Sequence, residues 1–259
     1  MNNGIDKLAG GVGKVIDKVP SIYDDALKYP AQESGKFIGR IPRAINAAFA
    51  GIDKWILNKE YSVEETKRLL SEKLKHVTPS NIIEPEPYVA IPTIQALSYT
   101  INSGVLRDLF SNLLAKSMNS ETKDNVHPAY IETIKQLSPD DASFFKYICE
   151  LEYRPIVDVQ VSSDPTNFWT IYSNSNLFSD GHVNNFSLTI DNLTRLGLIE
   201  IPSSVQYMDD AIYDDLIAKL QLEYNLESLK SYNVTYIRFN KKIINITPYG
   251  IAFYNTCSI

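Results

Sequence analysis

The sequence predicts a mainly α protein, with an N-terminal helical arm and a central helical bundle followed by a winged-helix-like α+β unit that carries a small β-hairpin. Three observations lead there. Apolar side chains recur at three- and four-residue steps through most of the chain between Gly35 and Leu151, the period of helices that bury one face. At Ile156-Val-Asp-Val-Gln-Val161 the period drops to two, as in a strand. Helix-start and helix-stop signals, Ser138-Pro139, Gly197 and Thr247-Pro248, then alternate with short apolar runs. On these marks the chain divides into residues 1–78, an arm with amphipathic helices; residues 79–137, a central helical core; and residues 138–259, the winged-helix-like unit with an acidic helix inserted over 205–230.

Each element has a local reason. Gly10, Gly11, Gly13, Pro20 and Pro30 break any long helix before residue 32. From Gly35 to Leu57, Ile38, Ile41, Ile45, Phe49, Ile52 and Ile56 trace the apolar face of an amphipathic helix. Ser62 ahead of Glu64 and Glu65 predicts a capped helix to about His76. Pro79, Pro85 and Pro87 predict a linker over 78–87. A helix interrupted near Pro92 is expected from Val89 to Ile101, with Asn102 or Ser103 capping the next one. That next helix turns Leu106, Leu109, Phe110, Leu113 and Leu114 inward and Arg107, Asp108, Ser111, Asn112 and Lys116 outward, ending near Asn119. His127-Pro128 opens a shorter helix with Tyr130, Ile131, Ile134 and Leu137 inside.

In the C-terminal half, Ser138-Pro139-Asp140-Asp141 supplies a cap, a preset backbone and two carboxylates for the helix dipole. Strands are expected at 156–161 and 168–172, then a helix from Asn184 to Leu196 with Gly197 as its left-handed cap, and a strand at 198–201. After the acidic helix, Thr235–Phe239 and Lys242–Ile246 read as a hairpin turning near Asn240, and Thr247-Pro248 starts the last helix.

Composition narrows the function classes. With 25 Lys and Arg against 31 Asp and Glu, the net charge of −6 repels polyanions overall, so nucleic-acid affinity would need a local basic patch. The only cysteines, Cys149 and Cys257, form no CxxC pair, and they read as reduced, buried thiols of a cytoplasmic protein. No signal-peptide pattern opens the chain and no run of about 18 apolar residues interrupts it. Neither a cofactor nor a metal is expected. Gly13-Lys14 lacks the remainder of a P-loop, and His76, His127 and His182 lack the short spacing of zinc ligands. Of the acidic pairs, Asp140-Asp141 reads as a helix start and Asp24-Asp25, Asp209-Asp210 and Asp214-Asp215 read as solvated faces, with an acid/base or magnesium site for hydrolysis or nuclease activity as the alternative. No catalytic residue is assigned.

Two surfaces carry functional weight. Lys36, Arg40 and Arg43, with Phe49 and Trp55 as anchors, could seat the 35–57 helix on the inner face of the cell membrane. In the winged-helix-like unit, Asn192 and Arg195 on the helix in the recognition position and Arg238, Lys241 and Lys242 on the wing are the candidate nucleic-acid contacts. Five side chains, three of them on one short hairpin, are few for phosphate neutralisation, which favours a protein-contact or structural role.

The run Val105-Leu-Arg-Asp-Leu-Phe-Ser-Asn-Leu-Leu-Ala-Lys-Ser-Met-Asn119, followed by Val126-His-Pro-Ala-Tyr-Ile-Glu-Thr-Ile-Lys-Gln-Leu-Ser-Pro-Asp140, resembles the core of the abortive-infection alpha family. The proline-rich stretch Pro85 to Pro92 and Asn192-Leu-Thr-Arg-Leu-Gly-Leu-Ile-Glu200 share the likeness, which covers residues 80–200, extends loosely to Cys257 and leaves the first 35 residues aside. The resemblance implies a bacterial or phage-borne antiviral defence protein, one that stops the growth of infected cells before phage are released. It implies no reaction and carries over no catalytic residue. The expected partner is a phage or host protein, with the inner-membrane surface next and nucleic acid after it.

Overall fold

A computed structural model describes residues 40–49, 60–97, 100, 103–178, 182–184, 187–229 and 233–259. Expectations for residues 1–39 and 50–59 lie outside them. The described chain is an α+β protein in which helices precede and flank a small antiparallel sheet. Among the described residues no helix is long and apolar enough to cross a membrane.

The first layer is helical. α1 (Arg40–Phe49), α2 (Glu60–Leu74), α3 (Pro87–Leu97) and α4 (Gly104–Ser117) bury Ile45, Leu70, Leu74, Ile94, Leu114 and Met118 against one another. Burial of each such side chain contributes about 1.5–3 kcal/mol. Ser62 lies inside α2, two residues past its start, so it is not the cap. The proline-rich stretch packs closely on α4: Ile82 bridges to Asn119, the Ile83 N–H donates to the Met118 carbonyl at 3.0 Å, and the Ser120 N–H to the Asn81 carbonyl at 2.8 Å. α3 continues through Pro92 without the expected interruption. Pro92 removes one backbone donor, and the Tyr88 carbonyl it would have served sits in the exposed first turn.

α4 is the spine of the molecule. The Ser103 Oγ caps it by accepting from the Leu106 N–H at 3.3 Å. One flank meets α2 and α3, and the other meets α5 (Ala129–Lys135), α6 (Pro139–Glu150) and the C-terminal turn Tyr254–Ser258. Ser111 and Asn112, expected on a solvent face, are therefore buried. The largest core gathers Phe110, Leu113, Ile134, Phe144, Phe145 and Phe253, to which α7 (Ser187–Arg195) adds Ile190 and Leu193. α7 ends as its glycine predicts: Gly197 has φ 70°, and the Leu198 N–H returns to the Leu193 carbonyl at 3.0 Å.

The sheet has the order β3 (His182–Asn184), β2 (Trp169–Phe178), β1 (Pro155–Ser162), β5 (Tyr236–Ile243). Val157 and Val159 of β1 pack under α8 (Ala211–Glu223) through Tyr213, Leu216 and Leu220, so the acidic helix is the cover of the sheet and is shorter than its expected span. The expected hairpin with a turn near Asn240 does not form. β5 runs straight through Asn240, which lies opposite Asp158. The reason is alternation: Ile237 and Phe239 join the apolar face under α8, while Arg238, Asn240 and Lys242 face Gln160, Asp158 and Ile156. β4 (Ile199–Glu200) instead pairs with β6 (Asn245–Ile246) in a separate two-stranded sheet. α9 (Pro248–Phe253) follows, capped by the Thr247 Oγ1, which accepts from the Gly250 N–H at 2.9 Å.

Candidate functional site

Two polar clusters hold the side chains singled out by sequence in the C-terminal half. The first lies where α7 meets the turn between α5 and α6. Ser138 and Asp141 form a reciprocal cap, with the Ser138 Oγ accepting from the Asp141 N–H at 3.0 Å and Asp141 Oδ2 accepting from the Ser138 N–H at 2.9 Å. Held this way, the buried Asp141 carboxylate also accepts from Asn192 Nδ2 at 2.8 Å. Asn192 Nδ2 donates in addition to the Gln136 carbonyl at 3.0 Å, while its Oδ1 accepts from Arg195 Nη2 at 2.7 Å. Arg195 Nη1 completes the array by donating to Gln136 Oε1 at 2.9 Å.

These groups line an open cleft of about 630 Å³, which also presents Lys135, Asp140, Asp191 and Leu188. Lys135 is engaged with Glu132 at 2.9 Å. Asp140 and Asp191 are exposed, and Leu188 is 81% exposed. The balance at the cleft is thus acidic, with Asp140, Asp141 and Asp191 around Arg195. Such a surface attracts cationic groups and repels phosphate.

The second cluster crosses the sheet. Asp158, 8% exposed, accepts at Oδ1 from Lys242 Nζ at 2.7 Å and from the Asn174 N–H at 2.9 Å, and at Oδ2 from Asn240 Nδ2 at 3.3 Å. Lys242 Nζ also donates to Asn174 Oδ1 at 2.6 Å. Asn174 has φ 57°, the left-handed conformation that asparagine tolerates, at the register shift between β1 and β2. Lys241 pairs with Asp210 at 2.6 Å and lies over the Tyr213 ring. Arg238 sits 4.1 Å from the Phe168 ring centroid and donates from Nη2 to Gln160 Oε1 at 2.6 Å.

The five candidate nucleic-acid contacts therefore fall into two groups that share no hydrogen-bond partner: Asn192 and Arg195 in the cleft, and Arg238, Lys241 and Lys242 on β5. Of the membrane-surface candidates, Arg40 donates to the Pro79 carbonyl at 3.2 Å and Arg43 is exposed, while Ala44 and Ile45 of the same helix are spent on the helical core. Lys36, Trp55 and the Phe49 side chain lie outside the described residues. Among the acidic pairs, Asp209 accepts from the Ala211 N–H at 3.0 Å, Asp210 holds Lys241, and Asp214 and Asp215 are exposed on α8. Among the described residues no three His, Cys, Asp or Glu side chains gather as ligands. His127 accepts at Nδ1 from the Ala129 N–H at 3.1 Å, a capping role.

Sequence reasoning preferred a helix-start role for Asp140 and Asp141 over an acid/base or magnesium pair, and passed over Gln136, Leu188, Asp191 and Asp158. For Asp158 a signal was present: a carboxylate between two valines in an alternating strand must find a partner across the sheet. For Asp141 there was none, because Asn192 lies 51 residues away.

No curated protein and no solved structure matches the chain. The sequence model of a family described as abortive infection alpha matches residues 58–257, which contain both clusters, the strands β1 to β6 and the helices α2 to α9. The chain belongs to the abortive infection alpha family.

Proposed function

We propose that this protein halts the growth of phage-infected cells by binding a protein partner in the cleft between α7 and the α5–α6 turn. The partner segment carries an apolar side chain beside a lysine or arginine. The observation that supports this most is the pairing of an exposed Leu188 with the exposed carboxylates Asp140 and Asp191 around a fixed Asp141–Asn192–Arg195–Gln136 array. An apolar contact ringed by pre-oriented donors and acceptors is the anatomy of a binding hot spot, and fixing those groups beforehand lowers the entropy lost on association. The acidic lining favours a basic protein segment over nucleic acid, which would meet three carboxylates at Asn192 and Arg195.

The test is infection of bacteria expressing the wild type, Leu188→Asp or the pair Asp140→Lys with Asp191→Lys. Growth arrest upon infection should be lost in both variants at unchanged protein level and melting temperature. A photo-crosslinking side chain placed at position 188 should capture one protein species in infected wild-type cells. Full protection by both variants, or retention of the purified protein on DNA at moderate salt through Arg195, would overturn the reading.

A further inference from the structure

The ladder between β1 and β2 runs from Val161 opposite Trp169 to Val157 opposite Ser175, after which β2 pairs with β3 through Asn176, Leu177 and Phe178. The start of β1 and the end of β2 thereby border a cavity of about 290 Å³, separate from the α7 cleft. Phe144 of α6 and Ile156 of β1 line it, and Ile212 and Leu216 of α8 line it from the other face of the sheet. Its volume is at the small end of ligand-binding cavities, ~300–1,000 Å³.

Two polar side chains in the lining, Asn176 and Arg154, have hydrogen-bonding capacity to spare. Asn176 is 5% exposed, its Oδ1 has no hydrogen-bond partner, and among the described residues its Nδ2 makes a long contact of 3.4 Å to the Asn174 carbonyl. A buried acceptor without a donor is costly, and native structures satisfy nearly all of them. Arg154 uses its Nε on the Ile148 carbonyl at the end of α6, and its backbone N–H on the Tyr207 hydroxyl. No carboxylate among the described residues pairs with its guanidinium. An apolar chamber with one unsatisfied acceptor and one guanidinium that meets no carboxylate among the described residues has the composition of a small-molecule site.

We infer that this cavity binds a small, largely apolar carboxylic acid that carries one N–H or O–H donor. The donor satisfies Asn176 Oδ1, the carboxylate meets Arg154 in a charge-assisted bond, and the hydrocarbon body fills the space between α6 and α8. The inference does not rest on the cleft reading, and it gives the protein a route to sense a metabolite independently of a protein partner.

Indole-3-acetate has the required parts, an aromatic body, one N–H and one carboxylate, and is the probe. Isothermal titration of the full chain should show saturable one-to-one binding. Indole, which lacks the carboxylate, should bind at least about tenfold more weakly, the scale of one charge-assisted hydrogen bond. Asn176→Leu removes the acceptor and should abolish binding while keeping or raising the melting temperature. Ile212→Trp, at the half-buried edge of the chamber, fills it from a second side and should abolish binding without touching either polar group. Three results would each overturn the inference: no saturation by the wild type up to about 1 mM, equal affinity of the wild type and Ile212→Trp, or a crystal structure from probe-containing solution that shows only water on Asn176 Oδ1.

Discussion

The side-chain amide of Asn112 donates to the Cys257 carbonyl at 2.7 Å, so the middle of α4 holds the C-terminal turn across 145 residues of sequence. Both groups are buried, and neither has water to fall back on. Asn112→Ala leaves the carbonyl without this donor and should cost about 1–3 kcal/mol in a urea unfolding curve. Ser111→Ala is the control. Its Oγ bonds only within α4, to the Arg107 carbonyl, and its loss should move the midpoint far less. Equal shifts would mean that the tie to the C-terminal turn carries no weight.

The Asp158–Lys242 pair makes a sharper prediction, because a buried ion pair and its broken halves behave differently. Removing one partner strands a charge in the sheet, at a cost of about 3–5 kcal/mol. Lys242→Met and Asp158→Leu should each destabilise on that scale, and the double variant should recover most of the loss. Additive losses in a double-mutant cycle would reject the coupling. The same geometry fixes how a nucleic-acid role for β5 is tested. Lys242→Glu sets a second carboxylate against Asp158 and reports on folding. Arg238→Gln leaves the buried network alone, since Arg238 is exposed over Phe168.

What could be read in the sequence was what is local. Ser103, Ser138, Gly197 and Thr247 act as the caps their positions suggest, because a cap needs only residues within one turn. The apolar period of α4 and the alternation of β1 survive for the same reason. Asn240-Lys241-Lys242 reads as a turn in isolation, yet its polar groups are matched by Asp158, Asp210 and Asn174, which lie far away in sequence. The buried Asn112 and the second bond of Asp141 are equally non-local. The cleft was half legible: Asn192 and Arg195 were marked, but as contacts for phosphate, while of the carboxylates that give the site its sign Asp140 and Asp141 were marked only at a helix start and Asp191 was not marked.

Alkaline pH should loosen the fold through its thiols. Burial pushes the Cys149 thiol up to about 12, against the opposing pull of the Arg154 charge, and pushes Cys257 well above its ordinary range. Burial also raises Tyr130 and Tyr249. In each case the fold favours the protonated, neutral form, so the folded pKa exceeds the unfolded one. That stabilisation is fully present below the unfolded value, 9.0 for cysteine, and is lost as pH rises toward the folded value. The melting temperature should therefore hold to about pH 8 and decline from about pH 9 upward, with a shallower decline in Cys149→Ala. An identical decline in that variant would remove Cys149 from the account. At pH 8 both thiols should also react with iodoacetamide more slowly in the native protein than in urea.

The glycines rank themselves by what a methyl group would meet. At Gly104, in the first turn of α4, nothing lies within 4 Å, and Gly104→Ala should stabilise by up to about 1 kcal/mol through lower chain entropy. Gly197 also has open space, but its φ of +70° strains any L side chain, so Gly197→Ala should cost about 1 kcal/mol. At Gly250 the added carbon would sit 2.1 Å from the Leu198 carbonyl oxygen. That oxygen belongs to backbone that also accepts from the Thr247 N–H at 3.1 Å, so it cannot move aside without opening the α9 cap and the β4–β6 pairing. Gly250→Ala should be the worst of the three, at or above the ~1–3 kcal/mol typical of overpacking, with loss of near-ultraviolet dichroism from the Phe145–Phe253 contact. A melting temperature for Gly250→Ala above that of Gly197→Ala would mean that the approach of α9 to Leu198 is looser than 2.1 Å implies.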